Sequence, residues 1–197
     1  TITGALPDGS FVTLNKHSHI EFSENRNGKT RDVKLTGEAF FNVAPDKSKP
    51  FIISVNDVKV QVVGTSFNVK SDVKKTEVIV ETGIVKVAKN SNDVTLKPNE
   101  KATVYSNAAK PVKELNDDVL YNYYRTKEFV CNATPLWRLA DVLNEAYGVN
   151  INIPDQRLRQ MAITTTFRNE PIENILAVIG ETFNIKVERK GNYIVLR

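Results

Sequence analysis

The chain reads in two periods. From Leu6 to about Tyr105, apolar residues recur at every second position, in the runs FVTLN, HIEFS, RDVKLTGEAFFNV, PFIISV, VKVQVV, SFNVK, TEVIVE, IVKVA, DVTL and ATVY. Such alternation marks half-buried strands. Turn material separates the runs: Leu6-Pro7-Asp8-Gly9-Ser10, Asn25 to Gly28, Pro45 to Pro50, Asn56-Asp57, Gly64-Thr65, Gly83 and Lys97 to Asn99. Glycine and Asn tolerate positive φ in such turns, and Pro presets a negative one. Many short strands at about ten-residue spacing predict an all-β domain. We expect stacked hairpins, sandwich- or solenoid-like, over residues 1–110.

One run is unusual. In RDVKLTGEAFFNV, Val33, Leu35, Gly37, Ala39, Phe41 and Val43 share one parity, and Lys34, Thr36, Glu38 and Asn42 the other. Gly37 interrupts the pattern and Phe40 stands on the polar face beside Phe41. A glycine inside a strand marks a bulge, a bend or a close backbone approach. The expectation is a bend at Gly37 that sends Phe40 and Phe41 to opposite sides. One would fill the β core, the other a second layer or a seam between domains.

Residues 111–125 lose the alternation and predict a linker or seam, with Tyr121, Tyr123 and Tyr124 packed there or in an ordinary core. From residue 126 to 197 the period changes to that of helices, and the sequence repeats. At an offset of 36 residues, PLWRLADVLNEAYGVNI falls on PIENILAVIGETFNIKV. Each unit predicts a strand, an amphipathic helix and a strand, with helices over 135–147 and 171–183. Thr134 is the expected N-cap with Pro135 in the first turn, and Gly148 and Asn184 are the expected left-handed stops. A final hairpin through Lys190-Gly191-Asn192 completes a small α+β domain of βαβ–βαββ type. Leu136, Leu139, Val142, Leu143, Ile172, Ile175, Val178 and Ile179 are its expected core.

Composition changes this picture little. The chain is 41% hydrophobic and 25% charged, with 27 basic and 23 acidic residues mixed along its length. That excludes disorder and lacks the clustered basic stripe of a nucleic-acid binder. No apolar run approaches the ~20 residues of a membrane span. A single cysteine, Cys131, excludes an internal disulfide and is expected to be a packed thiol. His17 and His19 share a strand face, but a structural zinc site needs further ligands. Asp117-Asp118 are expected to solvate or cap the segment that begins at Val119. No nucleophile–base set or phosphate loop is present, so no enzyme, metal or cofactor is expected.

Several blocks resemble the FecR-type domain of bacterial anti-sigma regulators over residues 4 to 105. They are Leu6-Pro7-Asp8-Gly9-Ser10; Arg31, Val33, Leu35, Gly37-Glu38-Ala39-Phe40-Phe41; Val62-Val63-Gly64-Thr65-Ser66-Phe67-Asn68-Val69; and Gly83 with Val85 and Val87. Thr82 before Gly83 departs from the usual pattern. The second half is similar to the domain that comes next in such regulators, itself like the short N-terminal domain of secretins and TonB-dependent receptors. Phe167, Ile172, Ile175-Leu176, Phe183-Asn184-Ile185 and Val187 carry that likeness.

The resemblance implies the periplasmic sensing portion of a single-pass inner-membrane protein. The periplasmic signalling domain of a TonB-dependent receptor would be one partner. An extracytoplasmic-function sigma factor, held by a cytoplasmic segment outside these residues, would be the other. A carbohydrate- or cell-wall-binding β module is the competing reading. Ile163-Thr164-Thr165-Thr166-Phe167 is β-prone, uncharged and free of Pro, so it is either a central strand or an edge open to a receptor strand. On the edge reading, Thr165→Pro is expected to abolish binding without unfolding the chain.

Overall fold

The alternating runs form strands: β1 (Ile2–Ala5), β2 (Phe11–Leu14), β3 (His19–Glu24), β4 (Arg31–Thr36), β5 (Glu38–Asn42), β6 (Phe51–Val55) and β7 (Val58–Val62). They continue as β8 (Ser66–Ser71), β9 (Lys75–Thr82), β10 (Val85–Lys89), β11 (Asn92–Leu96), β12 (Glu100–Tyr105) and β13 (Val112–Leu115). This computed structural model describes residues 1–24 and 28–197. The turn expected at Asn25 to Gly28 therefore lies, but for Gly28, outside the described residues.

The strands build a seven-stranded sheet, β1-β2-β5-β8-β9-β12-β13, and a six-stranded sheet, β11-β10-β7-β6-β4-β3. Their apolar parities make one core, with Val12, Phe41, Phe67 and Val78 from the first sheet and Val33, Ile53, Val60 and Val87 from the second. Phe41 stacks on Phe67 at 5.5 Å between centroids and meets Phe51 of the other sheet edge-on at 6.1 Å.

The long run 31–43 is not one bent strand. It is two strands in different sheets, β4 and β5, joined by Gly37 alone. At φ +88° the glycine turns the chain from one sheet to the other, and a Cβ there would lie 2.5 Å from Ser18 Oγ and 3.0 Å from Ser18 Cα. Parity survives the corner, so Val33, Leu35, Ala39 and Phe41 are all buried. Phe40 and Phe41 do point to opposite sides; Phe41 is in the core and Phe40 is half-buried.

The chain divides into two compact units, Thr1–Asp117 and Asp118–Arg197. The segment expected as a linker is regular instead: β13 joins the seven-stranded sheet, then come a 3-10 turn (Leu120–Asn122) and α1 (Tyr123–Thr126). Asp118 caps the turn by accepting the Leu120 N–H at 2.9 Å, and Arg138 donates Nε to it at 2.7 Å. Tyr123 stacks on Phe129 at 5.5 Å, and Phe129 on Tyr147 at 5.9 Å.

The second unit runs β14 (Glu128–Pro135), α2 (Leu136–Tyr147), β15 (Asn150–Asn152), α3 (Gln156–Gln160), β16 (Ala162–Arg168), α4 (Ile172–Phe183), β17 (Val187–Lys190) and β18 (Tyr193–Leu196). The two repeats interlock. Their first strands, β14 and β16, pair antiparallel, while their second strands, β15 and β17, flank β18. Both helices end on left-handed caps, Gly148 at φ 67° and Asn184 at φ 50°. Their starts differ from expectation, because the N-caps are Pro135 and Pro171 without side-chain caps. Thr134 is instead a buried strand residue whose Oγ1 accepts the Asn132 N–H. It is not needed as a cap, since the first α2 amide, Leu136 N–H, donates to Met161 O at 2.9 Å. A second correction is Val178, 39% exposed and outside the core, where Leu176 is buried in its place. The equivalent helix α2 packs against α3, so its buried stripe is wider and takes in Val142.

Candidate interaction edges and buried polar clusters

In the β unit, the motif residues assemble into two polar clusters that lock turns to strands. Ser10 Oγ donates to Asp8 Oδ2 at 2.8 Å, and the Ala44 N–H donates to Ser10 Oγ at 3.0 Å. Asp8 Oδ2 also accepts Arg31 Nη1 at 2.9 Å, and the two side chains are 6% and 3% exposed. Arg31 further donates to Lys49 O at 2.8 Å and to Ala44 O at 2.9 Å, and its guanidinium lies 5.4 Å from the Phe51 ring. One guanidinium thus ties the Pro7-Asp8-Gly9 turn, the 44–50 loop and β4 together. Such a fork suits Arg and not Lys, because its donors are fixed in one plane.

The second cluster surrounds Glu38, which is 4% exposed. Its carboxylate accepts Asn15 Nδ2 and Asn68 Nδ2, each at 2.9 Å, and Lys70 Nζ lies at 3.9 Å. The Glu38 N–H donates to Ser18 Oγ at 2.8 Å. A buried carboxylate is tolerable only when hydrogen-bonded and charge-compensated, and the two amides and the ammonium supply that.

Gly64, Thr65, Phe67 and Gly83 make a third contact of close backbones. A Cβ on Gly64 would lie 2.8 Å from Pro45 Cα, and one on Gly83 2.5 Å from Thr65 Cγ2. Thr65 O accepts the Val43 N–H at 2.9 Å, and Phe67 is fully buried. Gly9, at φ +83°, closes its turn in open space, with Ala44 Cβ 4.0 Å away.

The β16 segment Ile163 to Phe167 is not a central strand, because its sheet contains only β14 and β16. Its main-chain polarity is set by the register. Asn169 N–H donates to Lys127 O, and Leu136 N–H to Met161 O. In an antiparallel ladder, hydrogen-bonded and non-bonded pairs alternate. With Phe129 opposite Phe167, Cys131 opposite Thr165 and Thr134 opposite Ile163, the groups of Ile163, Thr165 and Phe167 are spent on β14. Those of Ala162, Thr164, Thr166 and Arg168 face the open edge. Pro135, which has no N–H, sits opposite Ala162, at a non-bonded position where no donor is missed.

The nucleophile and metal candidates stay apart. Cys131 is buried, and burial, with the Asp118 charge in support and the Thr134 hydrogen bond opposing, pushes its thiol from 9.0 up to about 11. The neutral thiol is therefore favoured in the fold. Its contribution to stability is complete below pH 9.0 and is lost as pH rises toward about 11. Alkylation of the native protein should be slow at about pH 8 and fast after unfolding in urea; equal rates would show the thiol accessible. His19 lies 4.0 Å from Glu21 on an exposed strand face. Among the described residues no three His, Cys, Asp or Glu side chains cluster as metal ligands, and no helix is long and apolar enough to cross a membrane.

The sequence matches two family models in chain order: FecR protein over residues 2–86, and FecR, C-terminal, over residues 128–196. The chain belongs to the FecR family. Two crystal structures of a candidate anti-sigma factor from Parabacteroides distasonis ATCC 8503 are similar to it at 29% identity. One has a TM-score of 0.77 and covers 100% of this chain and 93% of that one; the other has a TM-score of 0.75, covering 99% and 92%. No curated protein matches the chain.

Both polar clusters lie within the FecR match, and the β14–β16 ladder within the C-terminal one. The sequence blocks name Asp8, Ser10, Glu38 and Asn68 but not Ser18 or Lys70, and they do not show which of these residues meet. The hydrophilic residues of a turn signal give no hint that they are buried. Arg31 was visible only as a block of the FecR resemblance, at the head of an alternating run where its parity is that of core residues.

Proposed function

We propose that the chain is the periplasmic sensing part of a FecR-family anti-sigma regulator, with Thr1–Asp117 and Asp118–Arg197 as its working units. The FecR-family matches and the likeness to a candidate anti-sigma factor support a regulatory rather than catalytic role. In this reading a TonB-dependent receptor docks its periplasmic signalling domain on the chain, and the signal passes to an extracytoplasmic-function sigma factor held by a cytoplasmic segment. The observation that carries the docking mode is the open edge of β16. Ala162, Thr164, Thr166 and Arg168 offer main-chain donors and acceptors there, and a receptor strand adds to them by β-augmentation.

The geometry changes the variant that tests it. A proline at Thr165 removes an N–H used internally on β14 and is expected to weaken the fold. A proline at Thr166 removes a donor on the open edge, whereas Thr164 also holds β14 from within, its Oγ1 accepting the Ala133 N–H at 2.9 Å. Thr166→Pro is expected to lose co-purification with the signalling domain of the receptor encoded alongside, while its circular dichroism and denaturation midpoint stay unchanged. Retained co-purification by a folded Thr166→Pro protein would place the receptor elsewhere. For the competing carbohydrate reading, the only Trp, Trp137, is half-buried on α2 and offers no exposed platform.

A further inference from the structure

Edges of sheets are usually blunted by charge, short length, bulges or Pro, and the other edges of this protein are. β3 carries Glu21, β11 Asp93, β13 Lys113 and Glu114, and β17 Glu188, Arg189 and Lys190. β1 and β15 are short, β1 with Gly4 inside it. The outer edge of β14 is broken by a register shift between Cys131 and Thr134. Only β16, among the described residues, presents a longer edge whose middle is uncharged, unbulged and free of Pro.

That middle is also palindromic. Ile163-Thr164-Thr165-Thr166-Phe167 reads apolar, three threonines, apolar in either direction. We infer that two copies of this chain pair β16 to β16 antiparallel, about a two-fold axis through Thr165, so that β14 and β16 of each copy form one continuous sheet. The register is set by the outward main-chain groups. Thr164 then faces Thr166 of the second copy and Ala162 faces Arg168, all hydrogen-bonded positions. On the face that holds the core, Ile163 comes opposite Phe167 and Thr165 opposite itself. Ile163 and Phe167 are already buried in their own copy, so association rests on the main-chain bonds and the Thr–Thr pairs.

Charges do not oppose it. The one charged residue of the strand, Arg168, falls opposite Ala162 and is already paired with Glu128 at 2.9 Å. Shifting the register by two residues puts Thr165 against Phe167 one way and against Ile163 the other, so either shift loses the pairing of Thr165 with itself. The contact is self-complementary, as an isologous interface must be. It is also narrow, so the dimer is a weak, concentration-dependent one. The inference concerns the chain alone and stands whether or not the receptor reading does. If both hold, receptor and second copy compete for one edge, and dimerisation keeps the docking strand closed until the receptor arrives.

The test is disulfide trapping in a Cys131→Ala background, because Cys131 lies opposite Thr165 within the chain. Thr165→Cys brings two thiols face to face at a non-bonded antiparallel pair, where Cα atoms are about 4.5 Å apart, within the ~4.4–6.8 Å range a disulfide spans. Under mild oxidation, Thr165→Cys should give a covalent dimer in a concentration-dependent way, and Thr164→Cys, which faces Thr166, should give little. Sedimentation of the unsubstituted chain should show reversible dimers, and Thr166→Pro should raise their Kd about tenfold or more, the scale of losing hydrogen bonds on both copies. If Thr166→Pro does not fold, the cysteine pair carries the test by itself. A chain that stays monomeric at all concentrations would overturn the inference, as would equal trapping through positions 164 and 165. A dimer that forms without any receptor binding would support it and remove the receptor reading instead.

Discussion

Arg31→Ala is expected to destabilise the β unit by about 3–5 kcal/mol, the scale of breaking a buried ion pair by removing one partner. The substitution leaves Asp8 6% exposed with its strongest compensating charge gone. It also leaves Ala44 O and Lys49 O without the donors that hold the 44–50 loop, and it empties the space beside the Phe51 ring. Arg31→Lys should recover only part of the loss, because an ammonium is a point charge and cannot serve Asp8, Ala44 and Lys49 at once. Asp8→Asn should cost less than Arg31→Ala, since a neutral amide still accepts a hydrogen bond. Chemical denaturation monitored by far-ultraviolet circular dichroism reads all three. Additive losses in the Arg31→Ala/Asp8→Ala double variant would show that the two side chains do not act as a pair.

How far the sequence anticipated the fold depends on what each element buries. Strands with one buried face were legible because burial imposes the two-residue period, as in β7, where Val58, Val60 and Val62 are buried and Lys59 and Gln61 exposed. β1 and β13 were not, because they are edge strands exposed along their whole length; nothing forces ITGA or VKEL to alternate. α3 was missed for a similar reason: only Leu158 is buried in it, and its start is marked by Asp155 alone, which accepts the Arg157 and Leu158 N–H groups. The repeat made α2 and α4 visible together with their left-handed stops. The proline start of α2 is not legible because a proline N-cap with a tertiary partner for the first amide leaves no side-chain signature.

The candidate site was legible as composition and not as direction. The uncharged run Ile163 to Phe167 suggested an edge, but which residues offer free N–H groups depends on the register with β14, a strand some 30 residues away in sequence. The choice between positions 164 and 165 is therefore a structural fact. In the same way, the Glu38 cluster joins Asn15, Glu38 and Asn68 across three strands or strand ends. No local pattern could have linked them.

The corner at Gly37 should be one of the most sensitive backbone positions among the described residues. At φ +88° a side chain is strained in any surroundings, at a cost of about 1–3 kcal/mol. Here the space is also taken, since a new Cβ would sit 2.5 Å from Ser18 Oγ. Ser18 cannot rotate away freely, because its Oγ accepts the Glu38 N–H; losing that bond adds about 1 kcal/mol. Glu38 is the next residue, so displacement would also disturb its bonds to Asn15 and Asn68. Gly37→Val is therefore expected to lower the denaturation midpoint more than Gly9→Val, where φ is +83° but the nearest atom, Ala44 Cβ, is 4.0 Å away. Gly64→Val belongs with Gly37→Val, because its Cβ would meet Pro45 backbone. Adding Ser18→Gly to Gly37→Val relieves the collision but not the φ strain, so it should recover part of the loss and never all of it. Equal midpoints for Gly9→Val and Gly37→Val would mean that the sheet-to-sheet corner has room to move and that the close approach of Ser18 does not govern it.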